Sequence, residues 1–99
     1  MSAKVEFHRL ALKEYDDACK WYAERSDIAE QRFEPVVDAA VSRISDSPES
    51  LAQFPSGYRW VRVQRFRYIL VFRVRPPHEI VIVAVAHSSR RPSYWRRRA

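Results

Sequence analysis

Apolar residues recur along this chain with two different periods, and the change of period divides it into elements. Ala3 to Phe7 alternates, with Val5 and Phe7 on one face, which predicts a short strand. From Leu10 the spacing becomes helical. Ala11, Tyr15, Ala18 and Tyr22 line one face, Leu12 and Cys19 widen it, and Trp21 lies at its flank. Arg25-Ser26-Asp27 interrupts the pattern. Asp27, with Glu30 three residues later, predicts a capping box that opens a second helix. The apolar face of that helix is Ala29, Phe33, Val36, Val37, Ala40 and Ile44. Pro35 falls inside it, where a proline removes one backbone donor and crowds the preceding turn. The apolar phase does not change across Pro35, so one continuous helix kinked there is expected, rather than a helix that begins at the proline. Ser45-Asp46-Ser47-Pro48 ends it.

The second half has the period of strands. After a loop from Glu49 to Gly57, Tyr58 to Val63 alternates basic and apolar residues, and Phe66 to Arg75 is rich in β-branched and aromatic side chains. Glu79 to His87 is apolar on both faces and so predicts a central strand. Gln64-Arg65 and Pro76-Pro77-His78 are the expected turns, short enough to imply an antiparallel meander. The expected fold class is α+β in the order β-α-α-β-β-β: a two-helix hairpin packed on one face of a mainly antiparallel four-stranded sheet. One domain spanning residues 1–99 is expected, with a basic C-terminal tail from about residue 88.

Composition narrows the function classes. At 46% hydrophobic residues the chain is globular rather than disordered. The one cysteine, Cys19, excludes an intrachain disulfide and a multi-cysteine zinc site, and is expected in the core. Gly57, the one glycine, excludes every phosphate loop built on repeated glycines. The N-terminal MSAKVEFHRL has no apolar run suited to a signal peptide or a membrane span, so the expected location is cytoplasmic, away from membranes. No cofactor and no metal site are implied.

Charge adds the strongest clue. Residues 1–50 hold 11 of the 12 acids and 7 basic residues, a balance of −4. Residues 51–99 hold Glu79 alone against 11 arginines, a balance of +10. Arg90, Arg91, Arg96, Arg97 and Arg98 crowd the end, around Tyr94 and Trp95. Such a split implies an acidic or polyanionic partner.

Among residues able to do chemistry, His87 ends the central strand just before the arginines. It can serve as a general acid or base, or simply hydrogen-bond at a strand end. Arg90, Arg91 and Tyr94 can stabilise a phosphate, stack on a base or donate a proton. Some of Arg59, Arg62, Arg65, Arg67, Arg73 and Arg75 would join them in a basic surface, unless they are ordinary solvated charges. Arg96-Arg97-Arg98 suits an electrostatic arm without fixed structure. His8 and His78 are expected in solvent. Glu6, Glu14, Asp16, Asp17 and Glu24 are expected to form a solvated helix face, leaving no paired-carboxylate site.

Taken together, VEFHRLALKEYDDACKWY, AEQRFEPVVDAAVSRISDSP, YRWVRVQRFRYILVFRV and IVIVAVAHSSRRPSYW resemble the RelE/ParE superfamily of type II toxins over about residues 4–95. The most specific parts are Pro55-Ser56-Gly57, the arginine-bearing strand after it, Phe66 to Phe72, and the ending Ala86-His87 through Trp95. The resemblance implies a toxin neutralised by a cognate antitoxin, whose C-terminal segment wraps the helical hairpin and sheet. The +10 half and the aromatic pair at the hairpin flank make that segment acidic and partly helical by expectation, with Trp21 and Tyr22 as the expected antitoxin contacts. A hetero-oligomer of the two is implied. It also implies the first strand beside the last. RelE-type members cleave mRNA on the ribosome, and ParE-type members poison DNA gyrase. The RelE-type third strand resembles G-Y-R-L-V-Y with a catalytic arginine; here Ile69 stands in that place, within Arg67-Tyr68-Ile69-Leu70-Val71-Phe72.

The ParE-type function is therefore expected: growth inhibition by binding a target, with Arg65, Arg67, His87, Arg90, Arg91, Tyr94 and Trp95 as the contacts. The alternative is a metal-free endoribonuclease in which His87 or Tyr94 moves protons while Arg90 and Arg67 stabilise the phosphorane. A basic binding module without toxicity is the third possibility.

Overall fold

The structure is a computed structural model that describes residues 4–77 and 79–98. Ala3, expected to start the first strand, and His78, expected in solvent within a turn, lie outside the described residues. Strand β1 (Lys4–Phe7) leads into helix α1 (Arg9–Ala23), helix α2 (Asp27–Asp46) and a 3₁₀ turn (Pro48–Ser50). Strands β2 (Ala52–Gln53), β3 (Arg59–Val63), β4 (Tyr68–Arg75) and β5 (Glu79–His87) follow. The sheet order is β1-β5-β4-β3-β2. β1 pairs parallel with β5, Val5 opposite Ile80 and Phe7 opposite Ile82, and the remaining pairs are antiparallel. The first strand thus lies at the edge beside the last, as expected. Among the described residues the sheet has five strands rather than four, because Ala52 and Gln53 pair with Trp60 and Arg59.

The caps differ from expectation in an instructive way. His8 is not merely solvated: its Nδ1 accepts from the N–H of Leu10 at 3.1 Å and caps α1. Ser26, not Asp27, caps α2, its Oγ accepting from Ala29 N–H at 3.2 Å. Ala29 therefore holds the third helical position that a capping-box glutamate would need, and Glu30 falls one residue beyond it. α2 runs without a break through Pro35.

Both sheet faces are covered. On the helix side Phe33 is fully buried, with its ring centroid 5.1 Å from Tyr22, 5.0 Å from Phe66, 5.6 Å from Tyr68 and 5.9 Å from Tyr15. Rings at these spacings contribute beyond the area they bury. Val61, Val63, Leu70, Phe72, Ile80, Ile82 and Val85 complete this core. On the other side Tyr58, Val71, Val83, Ala84, Ala86 and Trp95 form a second cluster. The pairing of β4 with β5 shifts register at Val71/Phe72, where Ala84 and Ile82 are their partners and Val83 is the extra residue. That bulge sets Val83 and Ala84 in the outer cluster while Ile82 and Val85 remain in the inner one. It is why β5 looks apolar on both faces without strict alternation.

Candidate functional site

A cleft of about 850 Å³ opens between α1 and the turn that joins β3 to β4. One wall is Trp21, Tyr22 and Ala18; the other is Arg65, Phe66, Arg67 and Tyr68, with Val85, His87 and Arg90 closing one end. Trp21 and Tyr22, expected to meet an antitoxin, therefore share one cavity with Arg65, Arg67, His87 and Arg90, four of the seven expected target contacts; Arg91, Tyr94 and Trp95 do not line it. The local backbone explains how. Arg65 adopts a positive φ of 69°, which folds the turn tightly and leaves the Arg65 and Arg67 side chains exposed. Arg67 O accepts from Ser88 N–H at 2.8 Å, so the turn is fastened to the end of β5 and brings His87 and Arg90 alongside.

Each wall has its own character. Trp21 is 51% exposed, with the Arg25 guanidinium 4.0 Å from its ring centroid. Tyr22 is half-buried: it packs edge-on against Trp21 and Phe66, at 5.1 Å in each case, so it supports the cleft floor more than it presents itself. Burial raises its phenol pKa, and the positive charge of Arg67 acts in the opposite direction.

The proton-handling residues are not free. His87 Nδ1 accepts from Ser89 N–H at 3.1 Å and lies 2.7 Å from Ser89 Oγ, which leaves the ring proton on Nε2. The ring stands edge-on to Tyr68, centroids 5.0 Å apart. Tyr94 Oη donates to Glu14 Oε2 at 2.7 Å, and the Arg90 guanidinium lies 4.1 Å from the Tyr94 ring centroid. The Tyr94 phenol is held far above its ordinary range, by burial first and then by its hydrogen bond and charge contact with Glu14. Ile69 packs with the outer cluster, on the face away from the helices. Arg91 is exposed.

Three expectations are corrected. Trp95, expected at the target surface, is only 3% exposed; it packs on Tyr58 at 4.9 Å and Phe54 at 5.1 Å and holds the chain end against the sheet. Arg98 is no loose arm, and Glu14 is not on a solvated face. Arg98 Nη1 lies 2.9 Å from Glu14 Oε1, with both side chains about 15% exposed. The spacing of acids on α1 marked Glu14 as polar, but its partners Val85, Tyr94 and Arg98 lie far along the chain and left no local signal. Among the described residues, no group of three or more histidines, cysteines or acids is placed to hold a metal ion, and no helix is long and apolar enough to cross a membrane.

The family model for the ParE toxin of type II toxin-antitoxin system, parDE, matches residues 5–92. The chain belongs to the ParE toxin family. It is 27% identical over 94 residues to Toxin ParE2 of Mycobacterium tuberculosis, in both strain CDC 1551 / Oshkosh and strain ATCC 25618 / H37Rv, which covers 94% of this chain and 89% of the relative. Its fold matches a chain from the chromosomal ParDE TA system of P. aeruginosa with a TM-score of 0.73 and 19% identity, over 87% of this chain and 96% of the other. This ParE-family toxin thus keeps the family fold with few shared residues, and its cleft must be understood from its own side chains.

Proposed function

We propose that this toxin arrests growth by binding DNA gyrase, without catalysing a reaction, and that a cognate antitoxin neutralises it by laying an acidic segment in the same cleft. The gyrase target follows from family membership. The observation that carries the binding reading is the state of the nuclease candidates. Tyr94 spends its hydroxyl on Glu14, Arg90 stacks on the Tyr94 ring, His87 Nδ1 is engaged by Ser89, and Ile69 faces the opposite side of the sheet. Phosphodiester cleavage needs several fixed cations and an available acid and base around one phosphate. This arrangement instead suits recognition: Arg65, Arg67 and Arg90 for acidic groups, and Trp21 for an apolar anchor.

The antitoxin reading has the same support. Glu14 is neutralised by Arg98, so the cleft presents net positive charge to an acidic segment. A segment seated against Trp21 would cover Arg67 and Arg90, and bound antitoxin and bound target would exclude each other. The pair acts in the cytoplasm as a hetero-oligomer. The test is to induce the toxin in growing cells, map mRNA ends, and assay supercoiling with purified protein. Loss of supercoiling with intact mRNA is expected. Codon-phased mRNA cleavage that disappears in Tyr94→Phe would overturn the proposal.

A further inference from the structure

Glu14 occupies an unusual place for a helix-surface acid. β1 ends at Phe7, and the backbone hydrogen bond that follows its ladder with β5 is His8 N–H donating to Ile82 O at 2.8 Å. Beyond it, among the described residues, β5 continues without a strand on that side, and two of its backbone groups need other partners. Val85 N–H donates to Glu14 Oε1 at 3.0 Å, and Val83 O accepts from Arg98 Nη1 at 3.0 Å. One ion pair thus stands in for the missing strand. The same carboxylate accepts Arg98 at both oxygens, 2.9 and 3.1 Å, and Tyr94 Oη at 2.7 Å. Both oxygens are therefore engaged, and Glu14 joins α1, the β5 edge and the chain end at one point.

The Tyr94 ring carries this point to the cleft. The Arg90 guanidinium lies 4.1 Å and that of Arg98 5.0 Å from its centroid. Arg90 and Glu14 both line the cleft. We propose that Glu14 is a positioning residue of this toxin: by fixing Tyr94 and Arg98, it holds the Arg90 guanidinium at the cleft in the orientation that meets an acidic partner. Trp95 fastens the chain end independently, since it is buried against Tyr58, whose Oη donates to Arg96 O at 2.9 Å. Loss of Glu14 therefore frees Arg90 without detaching the tail. The functional half of the inference rests on the cleft being the toxin's working surface; the structural half does not.

Glu14→Gln tests it on the full chain. The amide nitrogen cannot accept from Tyr94 and faces the donors of Arg98. Side-chain nitrogen relaxation of Arg90 should show an ordered guanidinium in the wild type and a mobile one in Glu14→Gln, with the backbone amide spectrum of β3 and β4 unchanged. Growth inhibition on induction should fall about tenfold, the scale of one lost charge-assisted hydrogen bond. Adding Arg90→Ala should cost clearly less in Glu14→Gln than Arg90→Ala costs in the wild type, because the two changes act largely through one group, and fully additive losses would overturn the positioning role. If Glu14→Gln does not fold, Tyr94→Phe keeps the ring and removes one tie to Glu14, and Arg90 should again gain mobility. An Arg90 as ordered in the folded variant as in the wild type overturns the positioning role whatever the toxin's target. Ordering lost with potency unchanged leaves Arg90 positioned by Glu14 but overturns the cleft as the working surface.

Discussion

Trp95 and Tyr94 are neighbours in sequence with opposite fates, and the difference shows how far single residues can be interpreted. An aromatic pair among arginines suggests a contact surface. In the fold Trp95 turns under the sheet and Tyr94 turns towards α1. Trp95→Ala should therefore cost about 3–5 kcal/mol of stability, the range for a buried aromatic truncated to alanine, and thermal unfolding measures it. A surface tryptophan would lose far less. Tyr94 and Tyr15 make a second expectation. Burial is the main cause of the raised phenol pKa at both, joined by Glu14 at Tyr94 and by Cys19 at Tyr15. Unfolded tyrosines ionise near pH 10, before the folded ones, so this contribution is intact below about pH 10 and is lost as pH rises towards the folded values. The melting temperature should fall steadily from about pH 10 upward, and less steeply in Tyr94→Phe. A slope that Tyr94→Phe leaves unchanged would contradict the assignment.

At the scale of elements, long periodic segments were legible and short or interrupted ones were not. The constant apolar phase from Ala29 to Ile44 gave α2 its full course through Pro35, alternation gave β3, and β-branched and aromatic content gave β4. β2 has two residues, too few for any period, and forms because β3 offers an open edge to Ala52 and Gln53. The Val83 bulge was hidden because valine and alanine suit either face. Capping allows a sharp check. Ser26→Ala should destabilise the chain by about 1 kcal/mol while Asp27→Ala costs only a few tenths, by chemical denaturation. Equal losses would return the cap to Asp27. Pro35→Ala adds a helix donor at an exposed position and relieves crowding of the preceding turn, so it should raise the melting temperature in thermal unfolding.

For the molecule as a whole, the sequence located the charge but not the cavity that uses it. Trp21, Arg67, His87 and Arg90 share a cleft because β5 lies between β1 and β4 and its end is fastened to the β3–β4 turn. Nothing local in the chain announces that meeting, and the pairing of Glu14 with Arg98 is likewise a product of topology. The split charge should act at long range: association with an acidic antitoxin segment should slow as salt rises from about 0.05 to 0.5 M, with dissociation changed much less. The most direct measurement of the central claim is inhibition of gyrase supercoiling by purified wild-type toxin and by Arg67→Ala/Arg90→Ala, after confirming that both melt alike. The wild type should inhibit, and the double variant should need at least about tenfold more protein for the same effect. Equal inhibition by the two proteins, or none by the wild type, would contradict the account.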